Sequence, residues 1–180
     1  TPTSGAADML DALEASGTKI AVVTNKREPM ARKLFGELGL THRFACIIGA
    51  GTYPLKPAPD ALHAMVAACG GGASAFVGDT TFDTRAARAA GLPAIAVSFG
   101  FCDAPPHQLE ADAVIDHFDE LIPALAALQA PDSPRTIRRP IRLTLGNGSA
   151  ALRHIARQRR PCHAAPTSPG ITPFSVETYP

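Results

Sequence analysis

Two aspartates follow an apolar run that has the character of a buried strand. The stretch AFVGDTTFDTRAARAAG, residues Ala75–Gly91, places Asp79 directly after that run and Asp83 four positions later. Carboxylates at the end of a strand can hold a divalent cation, since Mg²⁺ prefers oxygen ligands. Both acids also have structural interpretations. Asp79 could cap the helix that follows, and Asp83 could be a surface acid whose charge favours the first turn of that helix.

Three further polar residues are suited to phosphate chemistry. Thr24 and Asn25 come at the end of the apolar run KIAVVT, and Lys56 lies in the sequence LKPAPD. A hydroxyl or an exposed backbone N–H can hold phosphate oxygens, and a lysine can neutralise a phosphate or a carboxylate as a compact cation. Taken singly, Thr24 and Asn25 could form an N-cap or turn pair, and Lys56 could be a solvated cation of a loop.

Strand-like and helix-like segments alternate over the first 130 residues and would position these side chains. Apolar runs predict strands at Lys19–Thr24, Ala45–Ala50, Ser74–Asp79, Pro93–Ser98 and, more weakly, Asp112–Asp116. Helical spacing of apolar residues predicts helices at Glu28–Leu40, Ala58–Cys69, Phe82–Gly91 and Phe118–Leu128. The alternation predicts an α/β fold, a Rossmann-like and mostly parallel sheet with helices on both faces. Because ligand sites of such sheets lie beyond the carboxyl ends of the strands, we expect Thr24, Lys56 and Asp79 to meet at one rim.

The character of the chain changes near Pro131. Residues 1–130 carry nine Lys and Arg against 14 Asp and Glu, a net charge of −5, whereas residues 131–180 carry eight Arg against two acids, a net charge of +6. Eight of the 17 prolines fall in this second stretch, where the only helix-like piece, SAALRHIARQRR, opens at a plausible N-cap, Ser149. We therefore predict a core domain over residues 1–130 and a basic, Pro/Arg-rich, disordered tail over residues 131–180 whose removal changes stability little.

Composition disfavours several classes of protein. No run approaches the roughly 20 apolar residues of a membrane span, and no secretory signal pattern is visible at the start of the sequence, so we expect a cytoplasmic protein with no membrane partner. The cysteines are widely spaced without a C-x-x-C pair, which favours reduced thiols over a zinc site or a disulfide framework. The arginines of residues 131–180 could track nucleic acid, but interleaved aromatics are missing, and a solvated segment is the better interpretation.

The polar groups resemble the motifs of the haloacid dehalogenase-like hydrolases, most closely the phosphoglycolate phosphatase-like branch. VVTNK resembles the second motif, LKPAPD the third and VGDTTFDTRAARAAG the fourth. The resemblance implies that Thr24, Asn25 and Lys56 bind phosphate and that Thr24 and Lys56 act in catalysis. It also implies that Asp79 binds Mg²⁺ directly while Asp83 supports the metal site. The implied activity is magnesium-dependent hydrolysis of a small phosphorylated metabolite.

The first motif of that family has no counterpart in the sequence. Family members begin with a D-x-D-x-T strand whose first aspartate attacks the phosphoryl group, giving an aspartyl-phosphate, and whose second is the general acid and base. The 180 residues contain no D-x-D, and the resemblance, which covers about Thr1 to Leu128, also leaves out the family's helical cap.

Two consequences follow from this missing motif. In the family the nucleophile strand is central, so we expect the strands ending at Thr24 and Asp79 either to be unpaired along one edge each or to be pushed together. Two functional interpretations stay open. The chain is an incomplete, inactive portion of a phosphatase, as a front-truncated reading frame would produce, or it is a non-catalytic phosphate- and Mg²⁺-binding module of the same fold.

Overall fold

Six parallel strands form one sheet in the computed structural model, which describes residues 5–129 and 142–146. Along the chain the strands are β1 (Ile20–Arg27), β2 (Cys46–Ala50), β3 (Ser74–Gly78), β4 (Ala94–Val97), β5 (Ala113–Ile115) and β6 (Arg142–Leu145). Their order across the sheet is β2-β1-β6-β3-β4-β5, and every neighbouring pair is parallel. The α/β class with a parallel sheet, predicted from the alternation of elements, is confirmed.

Five α-helices of the described residues connect or flank the strands. They are α1 (Gly5–Ala15), α2 (Glu28–Glu37), α3 (Asp60–Ala68), α4 (Thr81–Ala89) and α5 (Leu121–Gln129). The four predicted helices are all present with shorter bounds, and α1 adds a fifth. Helix α2 ends early because Gly39 adopts a φ of 65°, a left-handed conformation that closes a helix. The start of the last predicted helix, Phe118–Glu120, is a 3₁₀ turn that leads into α5.

Alternate residues of the strands pack on opposite faces of the sheet. Ile20 and Val22 of β1 belong to a buried cluster with residues of α1, α2 and α5. Ala21 and Val23 belong to a second cluster with residues of α3 and α4. Successive side chains of a strand point to opposite faces, so a sheet covered on both faces requires strands that are apolar throughout. The helices therefore lie on both faces, as predicted.

The central strand comes from the segment that we predicted to be a tail. β6 lies between β1 and β3, where Leu145 pairs with Val22 on one side and with Val77 on the other. The expectation that β1 and β3 would be unpaired or pushed together is therefore wrong, and residues 142–145 are an element of the sheet. The physical reason is that unpaired backbone N–H and C=O groups along two inner edges would cost about 1–3 kcal/mol each.

The pattern of β6 explains why sequence analysis missed this strand. RLTL is only four residues long, and prolines and arginines surround it in the sequence. In the fold, Leu143 is fully buried in the cluster of α1, α2 and α5, and Thr144 is buried on the opposite face of the sheet. The remaining parts of the predicted tail, residues 131–141 and 147–180, lie outside the described residues.

The expectations about membrane spans and about the cysteines can be compared with the described residues. None of the helices in them is both long and apolar enough to cross a membrane. Cys46, Cys69 and Cys102 form no disulfide, and Cys102 donates weakly to the carbonyl of Val97 at 3.5 Å. Burial and the nearby charge of Asp79 raise the pKa of the Cys102 thiol, which disfavours the reactive thiolate. The fourth cysteine, Cys162, lies outside the described residues.

The position of β6 generates a prediction about stability. Leu143→Ala should lower the free energy of unfolding by about 2–5 kcal/mol, because it truncates a fully buried side chain in the middle of the sheet. Urea unfolding followed by circular dichroism measures this loss. The matched control is Ile122→Ala on α5, where the side chain is 42% exposed and the change should stay within about 0.5 kcal/mol. Equal, small losses for both variants would show that β6 does not pack in solution.

Candidate active site

Predicted site residues meet at the carboxyl ends of β1 and β3. The Lys56 ammonium, in the loop between β2 and α3, lies 2.6 Å from Oδ1 of Asp83 and donates to the carbonyl of Val23 at 3.1 Å. The backbone N–H of Asp79 donates to Oδ2 of Asp83 at 3.2 Å. Because Val23 directly precedes Thr24, these contacts join β1, β3 and the loop that carries Lys56 at a single rim.

The ion pair between Lys56 and Asp83 is buried. Both side chains have no exposed surface, and the ammonium also lies 5.2 Å from the centre of the Phe76 ring. A buried charge is tolerated only where partners replace its hydration, and here a carboxylate, a carbonyl and an aromatic face do so. The interpretations of Lys56 as a solvated loop cation and of Asp83 as a surface acid are therefore wrong.

Asp83 also builds the turn from β3 into α4. Thr80 is the N-cap of that helix, since its hydroxyl oxygen accepts from the Asp83 N–H, and its hydroxyl donates to Oδ2 of Asp83 at 2.7 Å. The Thr80 backbone N–H donates to the same carboxylate oxygen, which completes a capping box. Both carboxylate oxygens of Asp83 thus have partners within the chain. The helix cap is Thr80, not Asp79.

Asp79 has one oxygen without a described partner. Its Oδ2 accepts from the Phe101 N–H at 2.8 Å, whereas Oδ1 is buried and has no hydrogen-bond partner among the described residues. Burial raises the pKa of Asp79 above its usual range, the Phe101 N–H opposes this rise, and the nearby charge of Asp83 adds to it. Because a buried unpaired carboxylate oxygen is unfavourable, Oδ1 is well suited to a bound cation.

The described residues offer Mg²⁺ one carboxylate ligand, that of Asp79. Within residues 5–129 and 142–146, no group of three or more His, Cys, Asp or Glu side chains could hold a metal ion. Mg²⁺ is commonly held through one or two carboxylates while its other positions are taken by water and substrate phosphate. Oδ1 of Asp79 meets that requirement. Asp83 would support the site from behind, because its own oxygens are engaged.

Two glycines leave room for the side chains of Asp79 and Asp83 to lie close to the backbone. A Cβ atom on Gly78 would lie 2.3 Å from Cβ of Asp83, and one on Gly100 would lie 2.2 Å from Cβ of Asp79. No side chain could occupy either position without moving the site. Gly100, Thr80 and the Phe101 N–H were missed by sequence analysis. The glycine of the SFGF stretch after β4 was the one available signal.

Asn25, which the sequence predicted to bind phosphate, holds the backbone of Lys56. Its Oδ1 accepts from the Lys56 N–H at 2.9 Å, and its Nδ2 donates to the Lys56 carbonyl at 3.1 Å. Beside it, the hydroxyl oxygen of Thr24 accepts from the Lys26 N–H at 3.1 Å, in the last part of β1, where the register with β2 shifts between Val23 and Arg27. Neither residue caps α2, whose N-cap is Arg27. Asn25 therefore fixes the position of the Lys56 backbone relative to β1.

Comparison with known proteins shows what this fold and site are similar to. Residues 1–97 match the model of the haloacid dehalogenase-like hydrolase family. The chain is 44% identical over 128 residues to a phosphoglycolate phosphatase of Agrobacterium fabrum, covering 69% of this chain and 54% of that protein. It is 39% identical to the phosphoglycolate phosphatase of Mesorhizobium japonicum, covering 69% and 56%.

A solved structure supports the same assignment. The crystal structure of a predicted phosphoglycolate phosphatase from Haemophilus somnus superposes with a TM-score of 0.63 at 28% identity, covering 68% of this chain and 56% of that one. The chain belongs to the haloacid dehalogenase-like hydrolase family, and within it to the phosphoglycolate phosphatase-like branch. It spans about half the length of the curated relatives it matches.

The buried ion pair generates a second prediction. Asp83→Asn should lower the free energy of unfolding by about 3–5 kcal/mol, because it leaves the Lys56 ammonium buried without a counter-charge. The double variant Lys56→Met with Asp83→Asn should recover part of that loss, since it removes the unpaired charge. Asp60→Asn, an exposed acid in the first turn of α3, is the control and should cost less than about 1 kcal/mol. Additive losses in the double variant would argue against the pairing.

Proposed function

We propose that this chain is the phosphate- and magnesium-binding portion of a phosphate monoester hydrolase. The observation that carries the proposal is the buried arrangement of Lys56, Asp83 and Asp79, in which Oδ1 of Asp79 has no hydrogen-bond partner among the described residues. An ammonium and a cation-ready carboxylate side by side at the end of a parallel sheet suit a dianionic phosphoryl group. The family of the chain supports the same chemistry.

Each residue has a distinct role in this proposal. Lys56 supplies positive charge near the phosphoryl oxygens, and Asn25 and Asp83 hold it in place. Thr24 offers a hydroxyl donor to a phosphate oxygen from the end of β1. Oδ1 of Asp79 would hold Mg²⁺, with Asp83 and Gly100 setting the orientation of that carboxylate. When bound, Mg²⁺ neutralises charge on the phosphoryl group and orients it.

The proposed substrate is a small phosphorylated metabolite of the cytoplasm, with 2-phosphoglycolate the first candidate. The names of the relatives from Agrobacterium fabrum and Mesorhizobium japonicum suggest this substrate. The nucleophile has to come from outside these 180 residues, because the sequence contains no D-x-D. We therefore propose that turnover belongs to a longer protein.

A second candidate is a non-catalytic module that binds phosphate and Mg²⁺ without turnover. One observation favours it for the chain as given. The central position of the sheet, next to the strand that leads to Asp79, is filled by β6, and residues 142–146 contain no carboxylate. With that position filled, a nucleophile strand cannot pair with β1 and β3 at the same time.

Phosphate release from 2-phosphoglycolate tests the proposal. We expect the 180-residue chain with Mg²⁺ to hydrolyse the ester at background rate, because it lacks a nucleophile. Residues 1–130 joined behind the portion of the Agrobacterium fabrum enzyme that precedes its matched segment should be active, since this fusion leaves the central position of the sheet open. Chelation by EDTA should abolish that activity. Full activity of the isolated 180-residue chain would contradict the account.

Variants of the fusion separate the roles of the site residues. Asp79→Asn should abolish the magnesium-dependent activity, and Lys56→Ala should lower kcat roughly 10²- to 10³-fold, the scale of removing one charge-stabilising group. Asp60→Asn, on the exposed side of α3, should leave the rate unchanged. A folded fusion that binds inorganic phosphate with Mg²⁺ in calorimetry and shows no turnover would favour the non-catalytic module.

A further inference from the structure

The loop after β4 lies against the side chain of Asp79. The Phe101 N–H donates to Oδ2 of Asp79 at 2.8 Å, and a Cβ atom on Gly100 would lie 2.2 Å from Cβ of Asp79. No side chain at residue 100 would fit between the loop and this aspartate. Because the loop backbone binds Oδ2, the orientation of the carboxylate, and with it the availability of Oδ1, depends on where residues 100 and 101 are held.

Asp103 ties the same loop to the first residue of α4. Its Oδ1 accepts from the Thr81 N–H at 2.8 Å, and its Oδ2 accepts from the Thr81 hydroxyl at 2.6 Å. Partial burial raises the pKa of Asp103, but the hydrogen bonds from Thr81 outweigh it and the net shift is downward, so the carboxylate is charged at neutral pH. Hydrogen bonds to a charged acceptor are stronger than neutral ones, and two of them to one residue also fix the direction of the contact.

Two contacts join this loop to the turn between β3 and α4. The first is the hydrogen bond from the Phe101 N–H to Asp79. Two residues further along the loop, Asp103 binds Thr81, which itself lies two residues beyond Asp79. A single hydrogen bond lets a loop rotate about it, whereas a second contact nearby fixes both its position and its direction. The Asp103 contact therefore holds the Phe101 N–H where it meets the carboxylate of Asp79.

The start of the loop is held separately by β5. The Ser98 N–H donates to the carbonyl of Ile115 at 3.0 Å, and the Ser98 hydroxyl donates to Oδ1 of Asp116. The loop is thus attached to β5 at its start and to α4 at its end, and residues 100 and 101 lie between these attachments. Because the first attachment includes a backbone hydrogen bond, it does not depend on a side chain, whereas the second is made by the Asp103 carboxylate.

We propose that Asp103 is a positioning residue of the cation site. By binding Thr81 it holds the Phe101 N–H against Oδ2 of Asp79, which leaves Oδ1 available to Mg²⁺. This inference rests on the proposed function, in which Asp79 anchors the cation. The competing interpretation is that Asp103 only stabilises α4, as an acid does near a helix N-terminus. The two differ in what a change of Asp103 does at residue 101.

Amide hydrogen exchange in the full 180-residue chain, followed by NMR without Mg²⁺, tests the positioning. Asp103→Ala should raise the exchange rate of the Phe101 amide roughly tenfold, the scale of losing a hydrogen bond to a charged group, while the amides of β1 and β2 keep their rates. Asp103→Asn should retain most of the protection, because its oxygen still accepts from the Thr81 N–H. Asp116→Ala removes the same charge at the start of the loop, where the Ser98 N–H still holds the backbone, and should have no effect.

Two outcomes of the exchange experiment would overturn the proposal. An unchanged rate at Phe101 in Asp103→Ala would show that Asp103 only stabilises α4. An equal rise at Phe101 and throughout β1 and β2 would show a general loss of stability. Variants of Thr81 approach the same contact from its other side: Thr81→Ala should raise the rate at Phe101, and Thr81→Ser, which keeps the hydroxyl, should not.

Titration of the same chains with Mg²⁺, followed by the amide shifts of residues 79–81 and 101, links the positioning to the cation. Asp103→Ala should raise the apparent Kd for Mg²⁺ about tenfold, the lower end of what losing an outer partner of a metal ligand costs. Asp103→Asn and Asp116→Ala should change it little, and Asp79→Asn should abolish the response. A wild-type response that Asp103→Ala leaves unchanged would overturn this inference alone. A wild-type chain that responds no more than Asp79→Asn would overturn the proposed cation site, and this inference with it.

Discussion

The structure depends on the pairing of β1 and β3 with a strand that lies between them. Thr24 lies in the second half of β1 and Asp79 directly follows β3, and the two strands do not pair with each other in the sheet. A parallel sheet covered by helices on both faces has no water at its centre to satisfy unpaired N–H and C=O groups. A strand of some origin has to fill the central position. In this chain β6 fills it, with Leu143 on one face and Thr144 on the other.

Filling that position has opposite effects on stability and on chemistry. β6 completes the ladder on both sides, which fixes the distance between the ends of β1 and β3. It is followed by Gly146 and not by an acidic residue, so the central strand itself brings no carboxylate to the site. The result is a rim that has the buried pair of Lys56 and Asp83 beside the carboxylate of Asp79, with no acidic residue on the central strand.

Within this rim, the pair of Lys56 and Asp83 joins three elements. Asp83 caps α4 together with Thr80, and its other oxygen holds Lys56 from the loop after β2. Asn25, at the end of β1, holds the backbone of the same lysine. One acid therefore organises the turn after β3 and fixes the cation of the site. Asp79, its neighbour, is left with one buried oxygen that has no hydrogen-bond partner among the described residues.

The sequence by itself determined the parallel α/β class, the strands β1 to β5, the helices α2 to α5 and the meeting of Thr24, Lys56 and Asp79 at one rim. Local periodicity and motif spacing carry that information, because strand runs and helix faces are set by neighbouring residues. Only the tertiary structure decided that β6 is central, since RLTL has too few residues for its pattern to stand out, and pairing with β1 and β3 depends on residues over 60 positions away. The tertiary structure also decided that Asn25 holds the Lys56 backbone and that Asp83 is buried, because such contacts form between distant loops that sequence spacing does not relate.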